Sequence, residues 1–162
     1  MDFIRNEFKE AVQRECRELG TNCRISSNIL KNMAQFVILK GEVIRDMIKS
    51  HENYKIADCM IFVENKHSII CLVELKRKKT DADEVVEKLT NASVLSIEIL
   101  KMSKIQNYDM IHIAVAKNWR RAEHRIIRSR KIIVQGRKYP VITGKCDDDL
   151  YNLILKSGIS PF

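Results

Sequence analysis

Glycine and proline are scarce in this chain: 5 and 2 in 162 residues. So few chain breakers leave little room for linkers, and no repeat or low-complexity tract interrupts the sequence. One domain over residues 1–162 is expected, long enough to enclose a full core. No apolar run reaches the ~20 residues of a membrane-spanning helix, so no membrane partner is expected. The opening Met1-Asp2-Phe3-Ile4-Arg5-Asn6-Glu7 lacks the pattern of a signal peptide. Cys16, Cys23, Cys59, Cys71 and Cys146 contain no C-x-x-C pair. They read as reduced core residues of a cytoplasmic protein. His51, His67, His112 and His124 show no metal-ligand spacing, and His112, inside an apolar run, reads as a satisfied core histidine. Acids are the minority, 21 against 29 Lys plus Arg, for a formal charge of +8. That excess favours a polyanionic partner, nucleic acid first and an anionic membrane second.

What the sequence does hold is a pair of β-rich runs. Lys55-Ile56-Ala57-Asp58-Cys59-Met60-Ile61-Phe62-Val63 is followed by polar Glu64-Asn65-Lys66-His67-Ser68, then Ile69-Ile70-Cys71-Leu72-Val73-Glu74-Leu75-Lys76. Two such runs with a short polar loop predict a hairpin. Asp58 starts one strand and Glu74 ends the other, so antiparallel pairing brings the carboxylates together. Glu74 and Lys76 fall on one face because side chains alternate. Hard divalent cations bind through one or two carboxylates plus water and phosphate, which Asp58 and Glu74 suit, with the Leu75 main-chain carbonyl as a third oxygen. Lys76 is placed to hold or deprotonate a water, or to neutralise charge on a phosphate. A salt-bridge cluster fits the same spacing.

Asp58, Glu74 and Lys76 resemble the motif of the PD-(D/E)xK, or restriction-endonuclease-like, nuclease superfamily, with Ala57 where the motif has proline. The predicted order of helix, hairpin, helix and strand resembles that family over residues 1–118. The resemblance implies an α/β fold with a restriction-endonuclease-like core: a mixed central β-sheet flanked by helices. It implies one or two Mg²⁺ or Mn²⁺ ions on Asp58 and Glu74, with Lys76 assisting the water. It also points to a metal-directed glutamate on the first helix, Glu7 or Glu15, and to a basic side chain such as Lys88 on the helix after the hairpin. Both have plainer readings, as surface acids and as an i,i+4 partner of Glu84. Some nucleases of this superfamily carry a cysteine-ligated iron–sulfur cluster, which the scattered cysteines here argue against.

Elsewhere, Ile4, Phe8, Ala11, Val12, Cys16 and Leu19 share one face of a helix predicted over residues 2–19. A short strand over 22–26 follows, then a helix from Ser27 or Asn28 to about residue 49, with Gly41 a break and Glu42 turned away from its apolar stripe. Thr80 or Asp81 caps the next helix. Residues 109–116 form a buried strand. Residues 117–138 hold nine basic residues against Glu123, with Trp119 among them. Arg120, Arg121, Arg125 and Arg128 suit backbone phosphates through their guanidinium forks, Trp119 could stack on a base, and a solvated helix fits equally. A hairpin around Gly136-Arg137 and a helix capped by Asp147 or Asp148, ending at Gly158, complete the chain. The reading is a metal-dependent endonuclease hydrolysing DNA, DNA rather than RNA being the expected substrate. Cleaving two strands needs two sites, so a homodimer is expected. A non-cleaving nucleic-acid-binding module and a purely structural protein are the alternatives.

Overall fold

The computed structural model describes residues 1–18, 20–48, 53–64, 66–76 and 81–160. Thr80, the alternative cap, lies outside them. The elements are α1 (Asp2–Glu7), β1 (Val12–Gln13), β2 (Cys16–Arg17), β3 (Arg24–Ile25), β4 (Gln35–Lys40), α2 (Gly41–Met47), β5 (Cys59–Glu64) and β6 (Ser68–Lys76). Then come α3 (Ala82–Met102), β7 (Tyr108–Ala116), α4 (Arg121–Ser129), β8 (Lys131–Val134), β9 (Arg137–Lys145) and α5 (Leu150–Lys156). Seven strands form a mixed sheet in the order β1-β4-β5-β6-β7-β9-β8, flanked by helices, while β2 and β3 pair separately as a small ribbon. Pairing is antiparallel from β1 to β6 and between β8 and β9, and parallel for β6–β7 and β7–β9. The expected hairpin, its following helix and the parallel strand are all present.

Alternation along the central strands divides the core into two layers. Met60, Phe62, Ile70 and Leu72 face α1 to α4, packing with Ile4, Ile44, Leu89 and Ile127. Ile61, Val63, Cys71, Val73 and Leu75 face the β2–β3 ribbon and α5. Asp58, Glu74 and Lys76 share the parity of the first layer, so they project toward α2 and α3.

Three expectations fail for physical reasons. The helix over 2–19 stops at Glu7; Ile4, Phe8 and Ala11 keep its apolar face through a short 3-10 turn, but Val12 enters β1 and Cys16 enters β2. The helix over 27–49 is a 3-10 turn, strand β4 and then α2. Phe36-Val37-Ile38-Leu39 is a continuous apolar run, and such a run is ambiguous between strand and helix by periodicity alone. Pairing with β5 from Gln35↔Glu64 to Lys40↔Cys59 decides it. Gly41 is indeed a break. A Cβ there would overlap the Ala57 carbonyl oxygen, and the Gly41 amide donates to Asp58 O at 2.9 Å. Third, the cysteines are not all reduced: Cys16 bonds Cys59 and Cys23 bonds Cys146, leaving Cys71 as a buried thiol. Their separations of 43 and 123 residues make these pairings tertiary facts that no spacing reveals. They also remove the ground on which a reducing, cytoplasmic setting was expected.

Smaller elements follow the sequence closely. Asp81 caps α3, accepting from the Asp83 and Glu84 amides. Gln135 and Gly136, both at positive φ, make the two-residue turn of the β8–β9 hairpin, a geometry that matches strand twist. Asp149, rather than Asp147 or Asp148, caps α5. Asp148 instead accepts from the Lys145 amide at 2.8 Å. No helix among the described residues is long and apolar enough to cross a membrane.

Candidate active site

Cys59 pairs with Val73, so one step further Asp58 lies across from Glu74 at the end of the β5–β6 hairpin. The Asp58 carboxylate is fixed by the Leu75 amide, which donates to Oδ2 at 2.7 Å. Its backbone is pinned on both sides: Gly41 N donates to Asp58 O at 2.9 Å and Ala57 N to Lys88 O at 3.3 Å. Asn91 Nδ2 donates to Lys55 O at 2.8 Å, holding the same segment against α3. Placement of Asp58 is thus dictated by three elements, β6, α2 and α3.

Glu74 is 2% exposed. Its Oε1 accepts from Lys88 Nζ at 3.2 Å, and Lys88 also reaches Glu84 at 3.6 Å. Its Oε2 is buried with no hydrogen-bond donor among the described residues. Burial first, then the neighbouring Asp58 charge, raises the Glu74 carboxyl well above the ordinary carboxylate range, against the opposing pull of Lys88 and Lys76. Burial also raises Asp58, with the Leu75 amide opposing. Two carboxylates in contact cannot both be ionised cheaply in a water-poor site, so one proton is shared between them and rests mainly on Glu74. Burial works against the Lys88 ammonium, but Glu74 and Asp58 more than offset it and its pKa is raised.

Lys76 shares the Glu74 face and is partly exposed, and its charge lowers the Glu74 pKa. Leu75 sits between them, its amide committed to Asp58. Of the acids considered on helices, Glu7 is exposed on α1 and Glu15 is held by Arg24 at 2.8 Å beside the ribbon. Glu42 is exposed on α2 and adds only slightly to the rise that burial gives the Asp58 pKa. With β4 a strand ending at Lys40↔Cys59, Gly41 falls beside Asp58. Lys88, expected only weakly, is a direct partner of the site.

The donor set suits a hard divalent cation. Asp58 and Glu74 offer adjacent carboxylate oxygens, and Glu74 Oε2 is an acceptor with no donor among the described residues. No group of three or more His, Cys, Asp or Glu among the described residues could hold a metal. Any cation here would rest on the two carboxylates and main-chain or solvent oxygen, the arrangement usual for Mg²⁺.

Lys76 pairs with Ala116 across β6–β7, so the chain leading to α4 leaves the sheet at the end that carries the acids. Arg121, Arg125 and Arg128, one helical face, line an open cleft of about 450 Å³ together with His124 and Ser129. Arg120 is exposed at the N-cap position, outside that lining. Trp119 is not a free stacking surface. Its Nε1 donates to Gly144 O at 2.7 Å and its ring stacks on His124 at 5.3 Å. His124, which sequence spacing did not single out, meets Thr143 Oγ1 at 2.7 Å. Burial, then Arg128 and Lys156, lower its pKa. His112 is the core histidine expected, with one qualification. Its Nε2 meets Ser93 Oγ at 2.6 Å while Ser93 donates to Leu89 O, so the proton lies on Nε2. Nδ1 has no partner among the described residues, and burial pushes the pKa down to about 3.

No protein-family model matches the sequence, and no curated protein matches it significantly. Among solved structures, the small subunit of the heterodimeric restriction endonuclease R.BspD6I is similar over 64% of this chain and 49% of its own, with 20% identity and a TM-score of 0.35. The chain thus matches about half of that subunit's length, and the likeness is too slight to bear on activity.

Proposed function

We propose that this chain is a divalent-metal-dependent nuclease of the restriction-endonuclease-like type, hydrolysing phosphodiester bonds in nucleic acid, DNA before RNA. The observation that carries the reading is the buried Asp58–Glu74 pair. A structural ion pair would explain Lys88 against Glu74. It does not explain a second acid whose contact raises the Glu74 pKa and disfavours the folded state. Groups held in such conflict are characteristic of functional sites.

In this reading Asp58, Glu74 and the Leu75 carbonyl hold one or two Mg²⁺ or Mn²⁺ ions. Bound metal supplies Lewis-acid polarisation of the phosphate and a more acidic water. Lys76, on the Glu74 face and open to solvent, holds or deprotonates the attacking water or neutralises charge on the phosphate. Lys88 balances the acid pair in the absence of metal and keeps Glu74 oriented. Arg121, Arg125 and Arg128 grip backbone phosphates along the α4 cleft, with Arg120 beside it. Double-strand cleavage needs two such sites, so two copies of the chain would act together.

The testing experiment is a cleavage panel of duplex, single-stranded and branched DNA and of RNA, with and without Mg²⁺ or Mn²⁺, run beside a Mn²⁺ thermal-shift titration. Metal-dependent cleavage and Mn²⁺ stabilisation, both lost in Asp58→Ala, are expected. Stabilisation by Mn²⁺ without cleavage of any substrate would favour the non-cleaving nucleic-acid-binding module.

A further inference from the structure

The two disulfides meet the site-bearing end of the sheet from the face opposite the acids. Cys59 is the first residue of β5, directly after Asp58, and its Cys16 partner lies on the ribbon. Cys146 follows the end of β9, and its amide donates to the carbonyl of Ala116, the register partner of Lys76. Among the described residues β2 pairs with β3 alone, although β1 just before it is held by β4. The ribbon strands pair over Cys16↔Ile25 and Arg17↔Arg24, and two-stranded pieces of that size are not stable by themselves. Arg24 ion pairs to Glu15 and Asp147 are largely exposed and hence weak. The β3 side is better secured, through Asp147 N to Arg24 O, Ser26 N to Asp148 O and Leu150 N to Ser26 O.

The two cross-links also differ in access. Cys16 and Cys59 are each 0% exposed, whereas Cys146 is partly open to solvent. Thiol–disulfide exchange needs the attacking thiolate to reach sulfur. We propose that Cys16–Cys59 is a positioning element for Asp58, and that Cys23–Cys146 is a latch shielding it, so that the pair makes the site redox-gated. This rests on the reading of Asp58 as a site residue. A dithiol reductant opens the outer bond first: two electrons and two protons pass to Cys23 and Cys146, and the dithiol becomes a cyclic disulfide. With the outer bond open, β2 lifts from β3, which its backbone bonds keep on the segment before α5, and reductant reaches the inner bond. With that bond reduced as well, β5 loses its anchor at the residue next to Asp58.

The Leu75 amide reports the outcome directly, because it donates to Asp58 Oδ2. Native-state hydrogen exchange on the full chain, oxidised and after treatment with dithiothreitol, is the experiment. Leu75 exchange should accelerate ~10-fold or more on full reduction, while Ile113 in β7 stays protected. In Cys23→Ser/Cys146→Ser the inner disulfide should be reduced by dithiothreitol ~10-fold faster than in the parent, followed by thiol alkylation and mass spectrometry. Unchanged Leu75 exchange in the fully reduced chain would overturn the positioning role. Loss of protection at Ile113 together with Leu75 would overturn it too, since the bonds would then be staples of the whole fold. Equal inner-bond reduction in parent and double variant would overturn the latch, and if that variant does not fold, the order of bond loss in the parent decides the same point. None of these readouts requires cleavage, so an inactive protein with a redox-sensitive Leu75 would fail the nuclease reading alone.

Discussion

Replacing Glu74 by Gln should make the metal-free protein more stable at alkaline pH while destroying its response to metal. Glu74 has a folded-state pKa raised above its ordinary value of 4.5 by burial and by Asp58. The folded chain therefore keeps a proton that the unfolded chain releases. Its contribution is fully present below the ordinary value and is lost as pH rises toward the folded value. One retained proton corresponds to a slope of about 1.4 kcal/mol per pH unit. His112 works in the opposite sense, its pKa lowered from 6.5 by burial, but that contribution stops growing once pH exceeds 6.5. Between about pH 7 and pH 8.5 the parent should therefore lose up to about 2 kcal/mol from this proton. Urea unfolding at constant ionic strength across that window measures it. Glu74→Gln should flatten the slope and exceed the parent in stability at the upper end. Saturating Mn²⁺ should reverse the parent's trend, because its ligands must be ionised to bind, and leave Glu74→Gln unmoved. A Glu74→Gln protein with the parental slope, or one stabilised equally by Mn²⁺, would refute the shared-proton site.

Other consequences are open to direct measurement. Asp58→Ala should abolish metal-dependent cleavage and Mn²⁺ stabilisation with the fold intact by circular dichroism. Lys76→Ala should lower turnover by about 10²–10⁴-fold, the usual contribution of one positioned acid–base group, with metal affinity nearly unchanged. Neutralising Arg121, Arg125 and Arg128 together should weaken binding to all duplex sequences and reduce the slope of log affinity against log salt by about 0.9 per lost contact; identical slopes would show α4 to be a solvated face. Gly41→Ala should cost about 1–3 kcal/mol in urea unfolding, as overpacking does, because the added methyl overlaps the Ala57 carbonyl oxygen, next to Asp58.

Local chemistry alone determined the β5–β6 hairpin, the α3 cap at Asp81, the β8–β9 turn and the meeting of Asp58 with Glu74. Each depends on residues close in sequence, through alternation, capping or turn geometry. The basic face of α4 was legible for the same reason, since Arg121, Arg125 and Arg128 recur at helical spacing. Tertiary structure decided the rest. Val37, Ile38 and Leu39 of β4 are buried in succession, on both sides of the sheet, so the run carries no period to separate strand from helix, and pairing with β5 makes it a strand. That pairing, in turn, brings Gly41 to Asp58, whose carbonyl accepts from its amide. Trp119 looked like a base-stacking residue in a basic segment, yet the Gly144 carbonyl and the His124 ring claim it. Cys16 and Cys59, 43 residues apart, and Cys23 and Cys146, 123 apart, meet only because the ribbon folds across the sheet. Sequence fixes which side chains are chemically able to act, whereas burial and long-range pairing fix which of them share a proton, a disulfide or a cleft.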